Sequence, residues 1–237
     1  MLVLNVRTTR IALVRTLVVL ESMDAKLLSV AAEFGREMIA HCNESGIPAA
    51  EVPPERKWNQ FFFTKETARR LASESLGQLR KARRSGSVVR VACVACPSVM
   101  EAIVTEEEVE KGEVEAVLFD IDDRFAERFP GRFVKMDLEA PEALDQRFRE
   151  RFDLVVAATP YLTQQCLGQV VKVVTFLLYW FPGFVFLCTT MLLKGAVEEY
   201  LPNFRSTSFD PKHAKGAPEE FLDYKCFSTC RSDTFTS

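Results

Sequence analysis

Residues 88–103, VVRVACVACPSVMEAI, decide the fold. The first eight are β-branched or small and carry one charge, Arg90, the composition of a strand buried on both faces. Pro97 and Ser98 then make a helix start, where proline loses nothing because its missing N–H would have no partner in the first turn. The spacing predicts a helix from Ser98 to Lys111, with Glu106, Glu107, Glu108 and Glu110 facing water. A buried strand passing through small residues into a helix is half of a βαβ crossover, which implies parallel neighbours.

The alternation continues outward from this stretch. EAVLFDID (115–122) reads as a second strand, followed by a short helix from Arg124. GRFVKMD (131–137) is a third strand, and Pro141 to Phe152 is expected to be helical. FDLVVAA (152–158) is a fourth strand, Leu162 to Trp180 a helix, GFVFLCTT (183–190) a fifth strand and Met191 to Tyr200 a helix. NFRSTSFD (203–210) and FLDYKCFS (221–228) form a closing hairpin around a long loop. Upstream, residues 22–45 have helical periodicity, residues 44–57 form a Pro-rich linker, and Thr64 is placed to cap a helix from Lys65 to about Ala82. The expected architecture is α/β and Rossmann-like: a seven-stranded, mostly parallel sheet with a C-terminal antiparallel hairpin, plus an N-terminal helical extension. The expected division is residues 1–55 for the extension and linker, and 56–237 for the sheet domain.

Composition narrows the function. The chain has 237 residues and a net charge of −3, which argues against a broad nucleic-acid footprint. The cluster Arg80, Lys81, Arg83 and Arg84 suits a solvated helix end, with a phosphate or acidic partner as the alternative. Seven cysteines are scattered, mostly in apolar runs, and the histidines are His41 and His213. Cys93 and Cys96 have CxxC spacing but no second tight pair, so reduced core thiols are expected and no metal. That chemistry points to a reducing, cytoplasmic compartment. Residues 1–20 are Arg-rich and free of acids; they read as an organelle-targeting segment, or as an extension ahead of a start at Met23. The apolar run from Val170 to Thr190 is broken by Pro182-Gly183 and reads as a buried helix, a turn and a buried strand, with no membrane contact.

In an open α/β sheet, ligands sit beyond the carboxyl ends of the strands, near the reversal of strand order. Pro97 and Ser98 lie there after the first strand, with no GxGxxG signature of a dinucleotide site. After the second strand, Asp122 is the expected acceptor for ribose hydroxyls, although Asp123 could serve a bare capping role. After the third, Asp137 can accept from an adenine amino group or cap the next turn. After the fourth come Ala158, Thr159, Pro160 and Tyr161, a proline-stiffened loop able to aim carbonyls and an aromatic face at an amine.

Five stretches in register resemble the translation elongation factor 1-alpha lysine methyltransferases, a family once labelled adenine-specific methyltransferases. They are WNQFFFTKETARRLA (58–72), VACVACPSV (91–99), LFDIDDRFAERF (118–129), FDLVVAATPYLTQQCL (152–167) and FDPKHAKGAPEEF (209–221). The resemblance implies a class I methyltransferase fold, S-adenosylmethionine as cofactor and elongation factor 1-alpha as protein substrate. It puts Gln60 and Phe61 on an entry motif closing over the pocket, Pro97 and Ser98 on the cofactor loop, Asp122 at the ribose and Asp137 at the adenine. The family's Asp-Pro-Pro-Tyr tetrapeptide survives here as Pro160 and Tyr161; its Asp is Ala158 and its first Pro is Thr159. Ala158 has no acceptor side chain, so the backbone carbonyls of Ala158 and Thr159 are left to hold the amine. A binding protein without turnover and a nucleic-acid adenine methyltransferase are the alternatives.

Overall fold

The structure, a computed structural model, describes residues 60–82, 87–179, 183–214, 223–229 and 235. The chain divides into two units, Met1–Ile47 and Pro48–Ser237, and the described residues all belong to the second. The helix expected at 22–45, the linker and the 55/56 boundary lie outside them.

Seven strands form one sheet: β1 (Val89–Val94), β2 (Val114–Asp120), β3 (Phe133–Lys135), β4 (Leu154–Ala158), β5 (Phe184–Thr190), β6 (Arg205–Ser206) and β7 (Tyr224–Ser228), in the order β3-β2-β1-β4-β5-β7-β6. The first five are parallel, and β7 runs antiparallel to both β5 and β6. The expected seven-stranded, mostly parallel sheet with an antiparallel hairpin is therefore the observed one, and the N-terminal extension lies outside the described residues. Alternation along β1 explains why both faces need cover. Val89, Val91 and Cys93 enter one hydrophobic cluster and Ala92 and Val94 the other.

The first cluster is closed by α1 (Lys65–Ala82) and α2 (Pro97–Val104), through Leu71, Leu76, Val99, Met100 and Ile103. The second is closed by α5 (Gln164–Leu177), which buries Leu167, Val170, Val173, Val174 and Leu177 at helical spacing, and by α6 (Lys194–Tyr200). Each such side chain contributes roughly 1.5–3 kcal/mol on burial. Thr64 caps α1 as expected, its Oγ1 accepting from the N–H of Thr67 at 3.2 Å. The apolar run at 170–190 resolves into the end of α5 and strand β5, and no helix among the described residues is long and apolar enough to cross a membrane.

Two expected helices are shorter than their sequence pattern. The helix foreseen for 98–111 stops at Val104, where the Thr105 hydroxyl donates back to the Ala102 carbonyl at 2.8 Å. Glu106 is extended, and a single turn, α3 (Glu107–Glu110), follows. The helix foreseen for 141–152 is replaced by two 3-10 turns, Pro141–Ala143 and Gln146–Phe148. Asp145 breaks it by accepting the N–H of Arg147 at 2.9 Å, and Glu150 has φ 55°, which no helix admits. The remaining helix, α4 (Arg124–Arg128), lies between β2 and β3.

One backbone strain falls at the end of β1. Ala95 has φ 51°, the left-handed region that disfavours a Cβ, and its N–H donates to the Phe119 carbonyl at 2.9 Å. Ala95→Gly is expected to stabilise the fold by about 1 kcal/mol and raise the melting temperature by roughly 3 °C. Thermal denaturation checks it; an unchanged or lower midpoint would show that the strain is absent.

Candidate functional site

A cavity of about 420 Å³ opens at the carboxyl ends of β1 to β4. The strand registers place it. Val94 pairs with both Phe119 of β2 and Ala157 of β4, and Asp120 pairs with Lys135 of β3. Ala95, Asp120 and Ala158 therefore follow in register, Ile121 and Met136 come one place later, and all five line the cavity. Gln60, Phe61, Pro97, Ser98, Asp137, Thr159, Pro160 and Tyr161 line it too. Asp122 does not.

Of the acids around the end of β2, Asp120 lines the cavity and Asp122, the expected ribose acceptor, does not. Asp122 is fully buried, 0% exposed. Arg124 grips it with Nε at 2.9 Å and Nη2 at 2.6 Å, its backbone N–H adds a third contact at 3.1 Å, and Gln60 Nε2 donates at 3.2 Å. Burial opposes its ionisation, but these donors hold its carboxyl below the usual carboxylate range. Asp120, 5% exposed, is the acid on the cavity wall. Burial, and then the charge of Asp122, push its carboxyl up to about 6, against relief from the backbone N–H groups of Asp122 and Ile121 and from Gln60. The displacement has a local cause. The strand ends at Asp120, the Asp122 N–H turns back onto Asp120 Oδ1 at 3.1 Å, and strand alternation no longer sets where side chains point. Asp123 makes no cap; it pairs with Lys135 at 2.5 Å.

Around this floor the other walls are built from long-range contacts. Asp137 is exposed at the mouth, one oxygen accepting the Glu139 N–H at 2.8 Å, and Glu139 itself lines the cavity. Ser98 receives the N–H of Phe63 on its Oγ at 3.2 Å. The entry segment is thereby tied to the start of α2 on one side. On the other side it meets the β6–β7 loop: Thr64 N–H donates to Lys212 O, Ala214 N–H donates to Phe62 O, and Phe63 bridges His213. Phe63 and His213 rings stand 4.8 Å apart, and His213 meets Tyr224 edge-on at 4.6 Å.

At the end of β4, the Tyr161 ring is 43% exposed, and burial and the Glu139 charge push its phenol up. Thr159 is buried. Its hydroxyl lies 2.7 Å from that of Thr189, and its carbonyl accepts from Tyr224 Oη at 2.5 Å. That carbonyl, expected from sequence to hold an amine, already carries an internal hydrogen bond. Sequence alone does not single out Tyr224, and of the acids Asp120, Asp122 and Asp123 it favours Asp122. Asp120 could have been found as the last in-register residue of β2. Tyr224 reaches Thr159 across 65 residues through an antiparallel pairing that no local pattern announces. Cys93, Cys96, Cys166, Cys188 and Cys226 are buried thiols outside any disulfide, and the described residues contain no cluster able to hold a metal ion.

An acid at each of two neighbouring strand ends, apolar Ile121 and Met136 between them, and an aromatic wall suit a nucleoside-bearing ligand. The family model described as probable N6-adenine methyltransferase matches residues 54–230. A protein-lysine N-methyltransferase of Caenorhabditis elegans is 29% identical over 192 residues, 81% of this chain and 85% of its own. EEF1A lysine methyltransferase 1 of Danio rerio is 34% identical over 167 residues, 70% of this chain and 94% of its own. The Homo sapiens protein of that name is 30% identical over 72% of this chain and 74% of its own. Among solved structures, a branched-chain polyamine synthase mutein from Thermus thermophilus aligns with a TM-score of 0.52 at 15% identity, over 82% of this chain and 62% of that one. That likeness concerns the fold alone.

Asp120 gives a test of the electrostatics. Its folded pKa lies above its unfolded one, so its stabilising contribution is full at low pH and is lost as pH rises through about 6. Asp120→Asn is expected to raise stability at pH 7.5 by on the order of 2 kcal/mol, with the gain shrinking between pH 6 and about pH 4. Denaturant titration at the two ends of that window reads it; equal gains at both would refute the buried-charge account.

Proposed function

The chain belongs to the probable N6-adenine methyltransferase family, and from that premise we propose that it is an S-adenosylmethionine-dependent protein-lysine N-methyltransferase acting on elongation factor 1-alpha. The names of its relatives support the lysine and the elongation factor. The observation that carries the reading is geometric: Asp120 and Asp137 open into the same cavity as Tyr161, at the ends of adjacent parallel strands.

In this reading the residues divide the ligand between them. Asp120 accepts from the ribose hydroxyls, taking the role the sequence suggested for Asp122. Asp122, with its charge bound by Arg124, holds Gln60 and through it the entry segment. Asp137 accepts from the adenine amino group, and Ile121 and Met136 cover the ring faces. Pro97 and Ser98 bring the first turn of α2 to the cofactor, and Phe61 lines the lid. The cofactor supplies an electrophilic methyl group on a positively charged sulfur. The protein's part is to exclude water, present a neutral amine in line and stabilise the charge that grows on nitrogen. Tyr161, beside Asp137 and Glu139 at the mouth, is where a lysine side chain enters. A lysine amine is normally protonated, so its proton passes to water before its lone pair can react.

Adenine methylation in nucleic acid is the weaker reading. The chain's net charge is −3, and two carboxylates stand at the mouth where a phosphate backbone would pass. The buried thiols accord with work in a reducing cytoplasm.

Radiolabelled methyl transfer from S-adenosylmethionine into purified elongation factor 1-alpha tests the proposal. Label is expected in lysine and none in DNA or RNA. Asp120→Asn and Asp137→Asn are each expected to weaken binding of S-adenosylhomocysteine by about 10- to 100-fold, as loss of a charged acceptor does. Absence of calorimetric binding by the unaltered protein would end the reading.

A further inference from the structure

We propose that the Tyr224 hydroxyl is the acceptor that orients the substrate amine in this site, an inference that rests on the methyl-transfer reading above. The end of β4 needs such a group. Ala158 ends in a methyl, and the Thr159 carbonyl accepts the Tyr224 proton at 2.5 Å. That same bond sets what Tyr224 can do. A phenol has one proton and two lone pairs. With the proton committed to the Thr159 carbonyl, Oη meets every other group, the Thr159 hydroxyl at 3.5 Å among them, only as an acceptor. Donation to a carbonyl also polarises the oxygen and strengthens it as an acceptor.

Tyr224 is on the cavity wall together with Ala158, Thr159 and Tyr161. Its orientation is fixed from several directions. Its backbone pairs with Thr190 in the sheet, His213 packs edge-on against its ring at 4.6 Å, and Phe63 lies beyond at 6.4 Å. Burial pushes the phenol well above its ordinary range, so the oxygen stays neutral and serves as a hydrogen-bond partner, not as a base. One amine N–H donates to Oη and the nitrogen lone pair turns toward the methyl carbon. As the carbon–nitrogen bond forms, the carbon–sulfur bond breaks with both electrons passing to sulfur. The positive charge moves to nitrogen, which releases a proton to water.

The test uses the intact chain and the elongation factor assay. Tyr224→Phe keeps the ring and its aromatic contacts while removing the oxygen. We expect kcat to fall roughly 100-fold, with S-adenosylhomocysteine affinity unchanged by calorimetry, which also certifies the fold. Thr189→Val removes the 2.7 Å partner of the Thr159 hydroxyl, which also stands 3.5 Å from Tyr224 Oη, but keeps the Tyr224 oxygen, and is expected to leave kcat within about twofold. Ala158→Asp added to Tyr224→Phe supplies a new acceptor at the strand end, and activity is expected to recover at least tenfold. Tyr224→Phe turning over at the unaltered rate would overturn the proposal, and so would Thr189→Val losing as much as Tyr224→Phe, since loop rigidity would then be the cause. No transfer by the unaltered protein that nonetheless binds S-adenosylhomocysteine would sink the methyl-transfer reading itself, and this inference with it.

Discussion

Parallel pairing of β1 with a neighbour on each side is the constraint from which the rest follows. Val94 faces Phe119 and Ala157 at once, so three strands end within one residue of one another. A shift of one residue would turn every inward side chain outward and scatter the row that now lines the cavity. The register is held because β1, β2 and β4 are apolar on both faces and helices cover each. Their cores are sealed separately, one under α1 and α2, the other under α5 and α6. The cavity exists because the sheet stops abruptly while its covering helices and loops continue past the edge.

Two free-energy costs of the molecule lie on that edge. Ala95 holds a backbone angle better suited to glycine, and Asp120 is a carboxylate pushed toward neutrality by burial and by Asp122. Neither helps the fold, and both sit where a ligand is to be met. Asp122 shows the opposite economy. It too is shut off from solvent, yet Arg124 and Gln60 satisfy it, so it steadies the loop and leaves Asp120 to face the cavity.

The sheet was legible because its signals are local and strong: β-branched runs such as VVRVACV, ended by Pro97 or by the ATPY loop. The helices at 98–111 and 141–152 were overdrawn because apolar spacing does not register a threonine or aspartate bonding to its own backbone, as Thr105 and Asp145 do. At the site, residues adjoining strand ends were legible from strand ends alone. The apolar run EAVLFDID carries the expected strand to Asp122, whereas the strand ends at Asp120, where the Asp122 N–H turns back onto its carboxylate. Tyr224 was invisible for a different reason. Its partner is Thr159, and only the insertion of β7 beside β5 brings the two together.

That insertion has a temporal meaning. β7 lies between β5 and β6, and the lid over the cavity is pinned where Phe62, Phe63 and Thr64 meet Lys212, His213 and Ala214. A nascent chain leaving the ribosome can assemble β1 to β5 with their helices, but the lid has no anchor until Lys212, His213 and Ala214 emerge, and the Tyr224 wall follows later still. The growing polypeptide thus reaches the cofactor-sized hollow last, and the enzyme acquires its chemistry only when synthesis of the domain is nearly finished.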